Sequence, residues 1–277
     1  MSAFMRTTLL AAAIAMLAGC VSMGGTSREE TAAALERILA GDHRSAENKA
    51  RDVYRHPKET LLFFGIRPEM RVVEVWPGAG WYTEIIAPLV KGSGRYYAAQ
   101  YVPNPESRYV SRLLEEYDRK LRSRPDLYGE VIVTAFGPRN TELAPPESVD
   151  MILTFRNIHN WMAEDWASEA FAAMYLALKP GGVLGVVEHR GDPSKPQDPR
   201  AKSGYVNEDY AIELIERAGF RLVAKSEVNA NPRDTKDYEQ GVWTLPPTFR
   251  LGDRDREKYA QIGESDRFTL KFIKPRE

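Results

Sequence analysis

Arg71-Val72-Val73-Glu74-Val75-Trp76-Pro77-Gly78-Ala79-Gly80 is the stretch from which the fold is read. Residues 72–76 form an apolar run of strand length, and Pro77-Gly78-Ala79-Gly80 breaks it. Residues 82–89 then read as a helix. Glycines directly after a strand let the backbone turn tightly and come close to a bound ligand. Alone, such a pair is as often a structural turn. At the first strand of an alternating chain it points to a nucleotide-like ligand.

The alternation continues outward from this point. Strands are expected over 95–100, 131–136, 150–155, 183–188, 221–225 and 268–273, with helices over 111–121, 163–178 and 208–218. Upstream, 29–39, 48–54 and a segment after Pro57 read as a helical lead-in. Strands alternating with helices indicate βαβ units and a mostly parallel sheet, with ligands outside the carboxyl ends of its strands. The expected class is α/β: a Rossmann-like, doubly wound, seven-stranded sheet within one domain spanning 29–277, with an insertion at about 229–266.

The N-terminus reads differently. A start carrying Arg6, an apolar run over 9–17 and then Leu17-Ala18-Gly19-Cys20 describe a secretory signal. The run is far short of the ~20 residues that span a bilayer. Its ending resembles the bacterial lipobox, which implies cleavage after residue 19 and lipid on Cys20. Cys20 is the only cysteine, so no internal disulfide forms, and a lipobox accounts for an unpaired thiol in an exported chain. An ordinary signal with an incidental Cys20 is the alternative. The expected order is a signal peptide over 1–19, a lipidated tether over 20–28, and a domain at the membrane surface on the periplasmic side. Val21-Ser22, without an aspartate, resembles lipoproteins sorted to the outer membrane.

Lys plus Arg number 38 and Asp plus Glu 39, for a net charge of −1. Without a basic run there is no electrostatic footprint for nucleic acid. No protein partner is indicated.

Further motifs accompany the glycine loop. The acid-x-Gly-x-Gly-x-Gly spacing over 74–80, Leu178-Lys179-Pro180-Gly181-Gly182 and Ala218-Gly219-Phe220 together resemble class I S-adenosylmethionine-dependent methyltransferases. Arg55-His56-Pro57, the loop through Glu84, Asn157-Ile158-His159-Asn160-Trp161 and Asn231-Pro232-Arg233-Asp234-Thr235 are similar to a family of extracytoplasmic methyltransferases. The resemblance implies S-adenosylmethionine as cofactor, with Glu74, Gly78 and Gly80 bordering its methionine end. Trp76 stands where the pattern has its first glycine. Gln100 stands where an acid usually binds the ribose hydroxyls, and its amide still offers hydrogen bonds. Tyr82, Phe136 and Asn157 complete the expected cofactor set. Trp76, Trp81 and Tyr82 either fill the helix–sheet interface or lay a ring against the sulfonium, a contact of ~0.5–2 kcal/mol.

The resemblance also implies that donor and acceptor meet past the fourth strand. His159 there is the candidate base, since imidazole titrates near neutral pH; the alternative is a histidine that only bonds neighbouring loops. Past the fifth strand, His189 is expected to orient the substrate or share proton transfer. Arg156 and Arg190 are candidates to hold an anionic small-molecule acceptor, unless they pair with nearby acids. No compact metal spacing occurs, so no metal is expected from His159, Glu188 and His189. The insertion, with Tyr205 and Trp243, either closes over substrate or covers the sheet edge. Two functions follow: methyl transfer to a small acceptor, or a non-catalytic binding module on the same fold.

Overall fold

Val73 and Val75 of the first strand face one hydrophobic cluster and Val72 faces another, so this strand is covered by helices on both sides. The computed structural model describes residues 25–276; the expected signal segment over 1–19, the expected lipidation site Cys20 and residues 21–24 lie outside the described residues. The strands are β1 (Arg71–Val75), β2 (Arg95–Tyr101), β3 (Ile132–Phe136), β4 (Val149–Phe155), β5 (Leu178–His189), β6 (Arg221–Ser226) and β7 (Arg267–Ile273). They form one sheet in the order β3-β2-β1-β4-β5-β7-β6. β1 to β5 pair in parallel, and β7 runs antiparallel between β5 and β6. The winding direction reverses between β1 and β4, and a crevice opens past their carboxyl ends, as expected at a switch point.

Two boundaries differ from the sequence expectation. The helix expected over 163–178 is two helices, Ile158–Ala163 and Ala167–Ala177. Asp165 adopts the left-handed conformation between them (φ 59°), and Trp166 turns into the core. β5 begins at Leu178 and takes in Lys179-Pro180-Gly181-Gly182, with a register shift against β4 between Val149 and Met151.

The lead-in is fixed from its first residue. Ser27 caps the helix Arg28–Ala40 reciprocally with Glu30: each side chain accepts from the other's backbone N–H, at 3.1 and 2.8 Å. The short helices Ala46–Ala50 and Asp52–Arg55 follow. They are anchored by buried Glu84 on the helix Thr83–Val90. Asn48 Nδ2 donates to both Glu84 oxygens (2.9 and 3.0 Å), Lys120 Nζ pairs with one of them, and Arg44 Nε lies 3.7 Å away. Removing one partner of such a buried network strands the rest. Glu84→Ala is expected to lower the unfolding free energy by about 3 kcal/mol, read from the urea midpoint, with early hydrogen exchange over residues 44–55.

Candidate active site

The glycine loop begins with a residue that is not glycine. Trp76 sits at φ 50°, the left-handed region, followed by Gly78 at 62° and Gly80 at 81°. For a side chain this conformation costs roughly 1–2 kcal/mol. Trp76 is held there by three contacts. Its backbone N–H donates to Ala99 O (2.8 Å), its indole Nε1–H donates to Phe136 O (2.8 Å), and its ring stacks on Tyr101 with centroids 4.1 Å apart. The two glycines differ. A Cβ on Gly78 would meet only Leu113, at 3.9 Å, whereas one on Gly80 would press on Lys120 and Tyr117 at 3.0 Å. Gly78 therefore opens on the crevice, and Gly80 serves packing against the helix Arg108–Ser123.

Gln100 does not reach the crevice as expected. It is 1% exposed, and its Nε2 donates to Gly78 O at 2.7 Å, so the side chain holds the loop from behind. Glu74 is likewise turned inward, where Tyr96 donates a short hydrogen bond to its carboxylate among the hydroxyls of Thr83 and Tyr117. Burial pushes the Glu74 carboxyl up to about 7, against the Tyr96 bond and the charges of Arg156, Arg55 and Lys120. Tyr82 stacks on Phe155 (3.7 Å) and fills the helix–sheet interface. Asn157 borders the crevice and ties β1 to β4, its Nδ2 donating to Val75 O (2.9 Å) and Thr154 Oγ1 (3.1 Å). Phe136 and Pro138 wall a second depression of about 520 Å³. Trp76 and Tyr101 line both cavities, so the two meet at their stack.

The main crevice, about 530 Å³, holds both histidines. Behind them lies Glu188, fully buried at the end of β5. Its Oε2 accepts from Ile158 N (2.7 Å), and its Oε1 accepts from His189 N (2.8 Å) and faces His159 Nδ1 at 3.1 Å. The carboxylate assigns the tautomer: Nδ1–H donates, and Nε2 is left as an acceptor. The His189 ring lies 5.4 Å from that of His159, with Ser265 Oγ 2.5 Å from its Nδ1. Burial first, then His159, Arg267, Arg156 and Arg55, hold the His189 pKa well below the usual imidazole range. His159, Glu188 and His189 offer ligand atoms within 4.8 Å of one another. Glu188 accepts N–H donors on both oxygens, and Arg267, Arg156 and Arg55 are close enough for their charges to act on His189.

The remaining expectations divide. Arg156, at φ 62°, and Trp243 line the crevice, and the Trp243 ring meets His159 edge-on at 6.0 Å. Arg190 does not. It is paired with Glu208 (3.3 Å), Glu227 (2.6 Å) and Asp266 (3.8 Å), outside the crevice. Tyr205 also lies behind the crevice wall, its hydroxyl donating to Asp234 at 2.9 Å. The insertion is a roof: Val242, Trp243, Pro246, Pro247 and Thr248 all border the cavity. Sequence reasoning missed Arg51, Arg55, Arg267, Glu264 and Ser265. Arg55 stood in a motif that carried the family resemblance, but was given no role; nothing local marked Arg51 or Arg267.

No protein-family model matches the chain, and no curated protein sequence matches it. Solved structures do. A SAM-dependent methyltransferase from Aquifex aeolicus aligns with 81% of this chain and 93% of its own at 17% identity, with a TM-score of 0.54. The [4+2]-cyclase SpnF aligns with 91% and 98% at 16% identity and 0.59. The 1,6-didemethyltoxoflavin-N1-methyltransferase of Burkholderia thailandensis, solved with S-adenosylhomocysteine, aligns with 92% and 94% at 16% identity and 0.52. The chain has the class I methyltransferase fold.

Within that fold Glu74 is a liability at neutral pH. Its folded pKa is raised from 4.5 to about 7, so the folded state binds more protons than the unfolded one between those values, and stability falls as pH rises through that window. His189 acts in the opposite sense, since its lowered pKa removes stability as pH falls below about 6.5. Glu74→Gln retains an acceptor for Tyr96. It should raise stability at pH 8 by up to about 3 kcal/mol and remove the decline between pH 4.5 and 7, measured by urea melts across pH.

Proposed function

We propose that the protein is an exported, lipid-anchored methyltransferase that moves a methyl group from S-adenosylmethionine to a small acceptor. The observation that carries this reading is the Glu188–His159 pair, whose His159 borders the crevice beside the glycine loop. The residues fit the cofactor. Open space at Gly78 allows close backbone approach, the Trp76 and Tyr101 faces join the two cavities, and Phe136 and Pro138 offer an apolar wall for a base. Glu106 and Glu164 line the second depression and are the carboxylates available for the hydroxyl contacts that Gln100 does not make. When bound, the cofactor supplies an electrophilic sulfonium methyl, and its sulfur keeps the bond pair as a neutral thioether.

The chain's own contribution is positioning and proton removal. In-line attack needs the acceptor held against the methyl carbon, and the Trp243 roof and the loop enclose the space for it. His159 Nε2 accepts the proton of a hydroxyl or ammonium acceptor. Glu188 then stabilises the imidazolium, while His189 stays neutral. Lipid on Cys20 would keep the domain at the periplasmic face of the envelope, by preference the outer membrane, as the lipobox-like Leu17-Ala18-Gly19-Cys20 and the following Val21-Ser22 suggest. The second reading, a non-catalytic binding module, draws on Gln100, whose amide is already taken by Gly78 O, and on a compartment away from cytoplasmic cofactor synthesis.

Calorimetric titration of S-adenosylmethionine and S-adenosylhomocysteine into the purified chain separates the two. Binding that Gly78→Arg abolishes is expected. His159→Ala should leave the cofactor Kd unchanged and lower methyl transfer roughly 10²–10⁴-fold once an acceptor is supplied. No binding at millimolar ligand to the folded protein would sink the methyltransferase reading and leave the binding module.

A further inference from the structure

Four guanidinium groups border the crevice; Glu264 pairs with three of them, and Glu116, which also lines the cavity, lies on the helix Arg108–Ser123 and pairs with Arg112. Arg51 and Arg55 come from the lead-in, Arg156 from the turn after β4 and Arg267 from the start of β7. Glu264 serves three of them. Arg51 Nε donates to its Oε1 at 2.6 Å, Arg267 donates to its Oε2, and Arg55 Nε lies 3.5 Å from that oxygen. The side chain of Arg156 makes no hydrogen bond or ion pair among the described residues. Glu74, the other acid whose charge reaches Arg156 and Arg55, is bonded to Tyr96 and has its carboxyl pushed up to about 7 by burial.

Arg55 and Arg267 are buried, while Arg51 and Arg156 are partly exposed towards the crevice. Arg55 is 5% exposed and Arg267 3%, and each has a buried Nε without a hydrogen-bond partner. The Arg55 guanidinium lies over the Trp81 ring at 4.5 Å. Burial, and then Arg267, lower the Arg156 pKa to about 10. Burying positive charge without counter-charge is unfavourable. Arg51, Arg55 and Arg267 share the single Glu264 carboxylate, Arg156 pairs with no acid among the described residues, and the buried Nε groups of Arg55 and Arg267 lack acceptors, so the cluster keeps donor capacity for an entering anion. Guanidinium forks match the paired oxygens of carboxylate and phosphate.

We propose that the acceptor carries an oxyanion group, a carboxylate or phosphate, held by Arg55, Arg156 and Arg267, with its apolar part against Trp81 and Trp243 and its reacting atom at His159. The placement of a reacting atom rests on the methyltransferase reading; the anion site does not.

Titration of benzoate, phenyl phosphate and uncharged benzamide into the full chain, followed by calorimetry, tests this. One or both anions should bind at millimolar concentration or tighter, and benzamide should not. Tighter binding of benzoate identifies a carboxylate site, and tighter binding of phenyl phosphate a phosphate site. Arg156→Gln removes a side chain that bonds nothing, so the fold should persist while anion affinity falls roughly tenfold to hundredfold. Arg55→Lys should keep more affinity than Arg55→Gln, and Arg217→Gln, on the exposed face of the helix Glu208–Arg217, should change nothing. Benzamide binding as well as the anions, or Arg156→Gln binding them as the parent does, would overturn the proposal. So would cofactor binding with no anion binding. Anion binding without cofactor binding would uphold the anion site and overturn the methyltransferase reading instead.

Discussion

The Glu188 carboxylate is wholly buried at the end of β5, where an ionised group is tolerated only if its oxygens are fully hydrogen-bonded. Its donors come from two directions, the turn after β4 and the end of its own strand. That requirement fixes the start of the helix Ile158–Ala163, and with it His159 and Trp161 together. Trp161 packs on Trp76 and Trp166 at 5.9 and 5.8 Å, so the same constraint reaches the glycine loop from the side. His159, the loop and the second depression are thus positioned around one buried carboxylate.

The loop shows how a departure from a pattern is compensated. Trp76 in a left-handed conformation carries a penalty of roughly 1–2 kcal/mol. Its indole hydrogen bond to Phe136 O contributes about 1 kcal/mol, and its stack on Tyr101 about 0.5–1.5 kcal/mol more. The conformation that glycine would adopt freely is retained by a side chain that also joins the two cavities. Gln100 completes the exchange: an amide reaches Gly78 O, which a carboxylate could not do without a proton. The two substitutions support the loop from opposite sides.

Strand positions were legible because burial and backbone pairing impose local periods, and every expected strand forms within a few residues of its place. The direction of side chains just past the strands was not legible. Arg156 and Arg190 each follow a strand by one residue, yet the first enters the crevice and the second leaves it. The difference lies in a left-handed backbone at Arg156 and in acids at 208, 227 and 266 that gather around Arg190 only after folding. Tyr205 was drawn away in the same manner by Asp234. Arg51, Arg55 and Arg267 were hidden because their convergence depends on lead-in helices anchored to Glu84 and on an insertion that returns to the site at Glu264.

Structures of this fold include one named as a cyclase, so the sheet alone does not decide the reaction. The decision falls on what the crevice holds. A module that only stores a ligand needs complementary surface and counter-charge, which the arginines and the Trp243 roof would provide unaided. It gains little from an imidazole whose Nδ1–H is fixed by a buried carboxylate, because that contact serves to aim Nε2 as an acceptor and adds little to packing. Burying Glu188 to orient His159 is unfavourable in itself and is repaid when a proton must move. That asymmetry favours proton transfer over passive binding as the reading of the crevice.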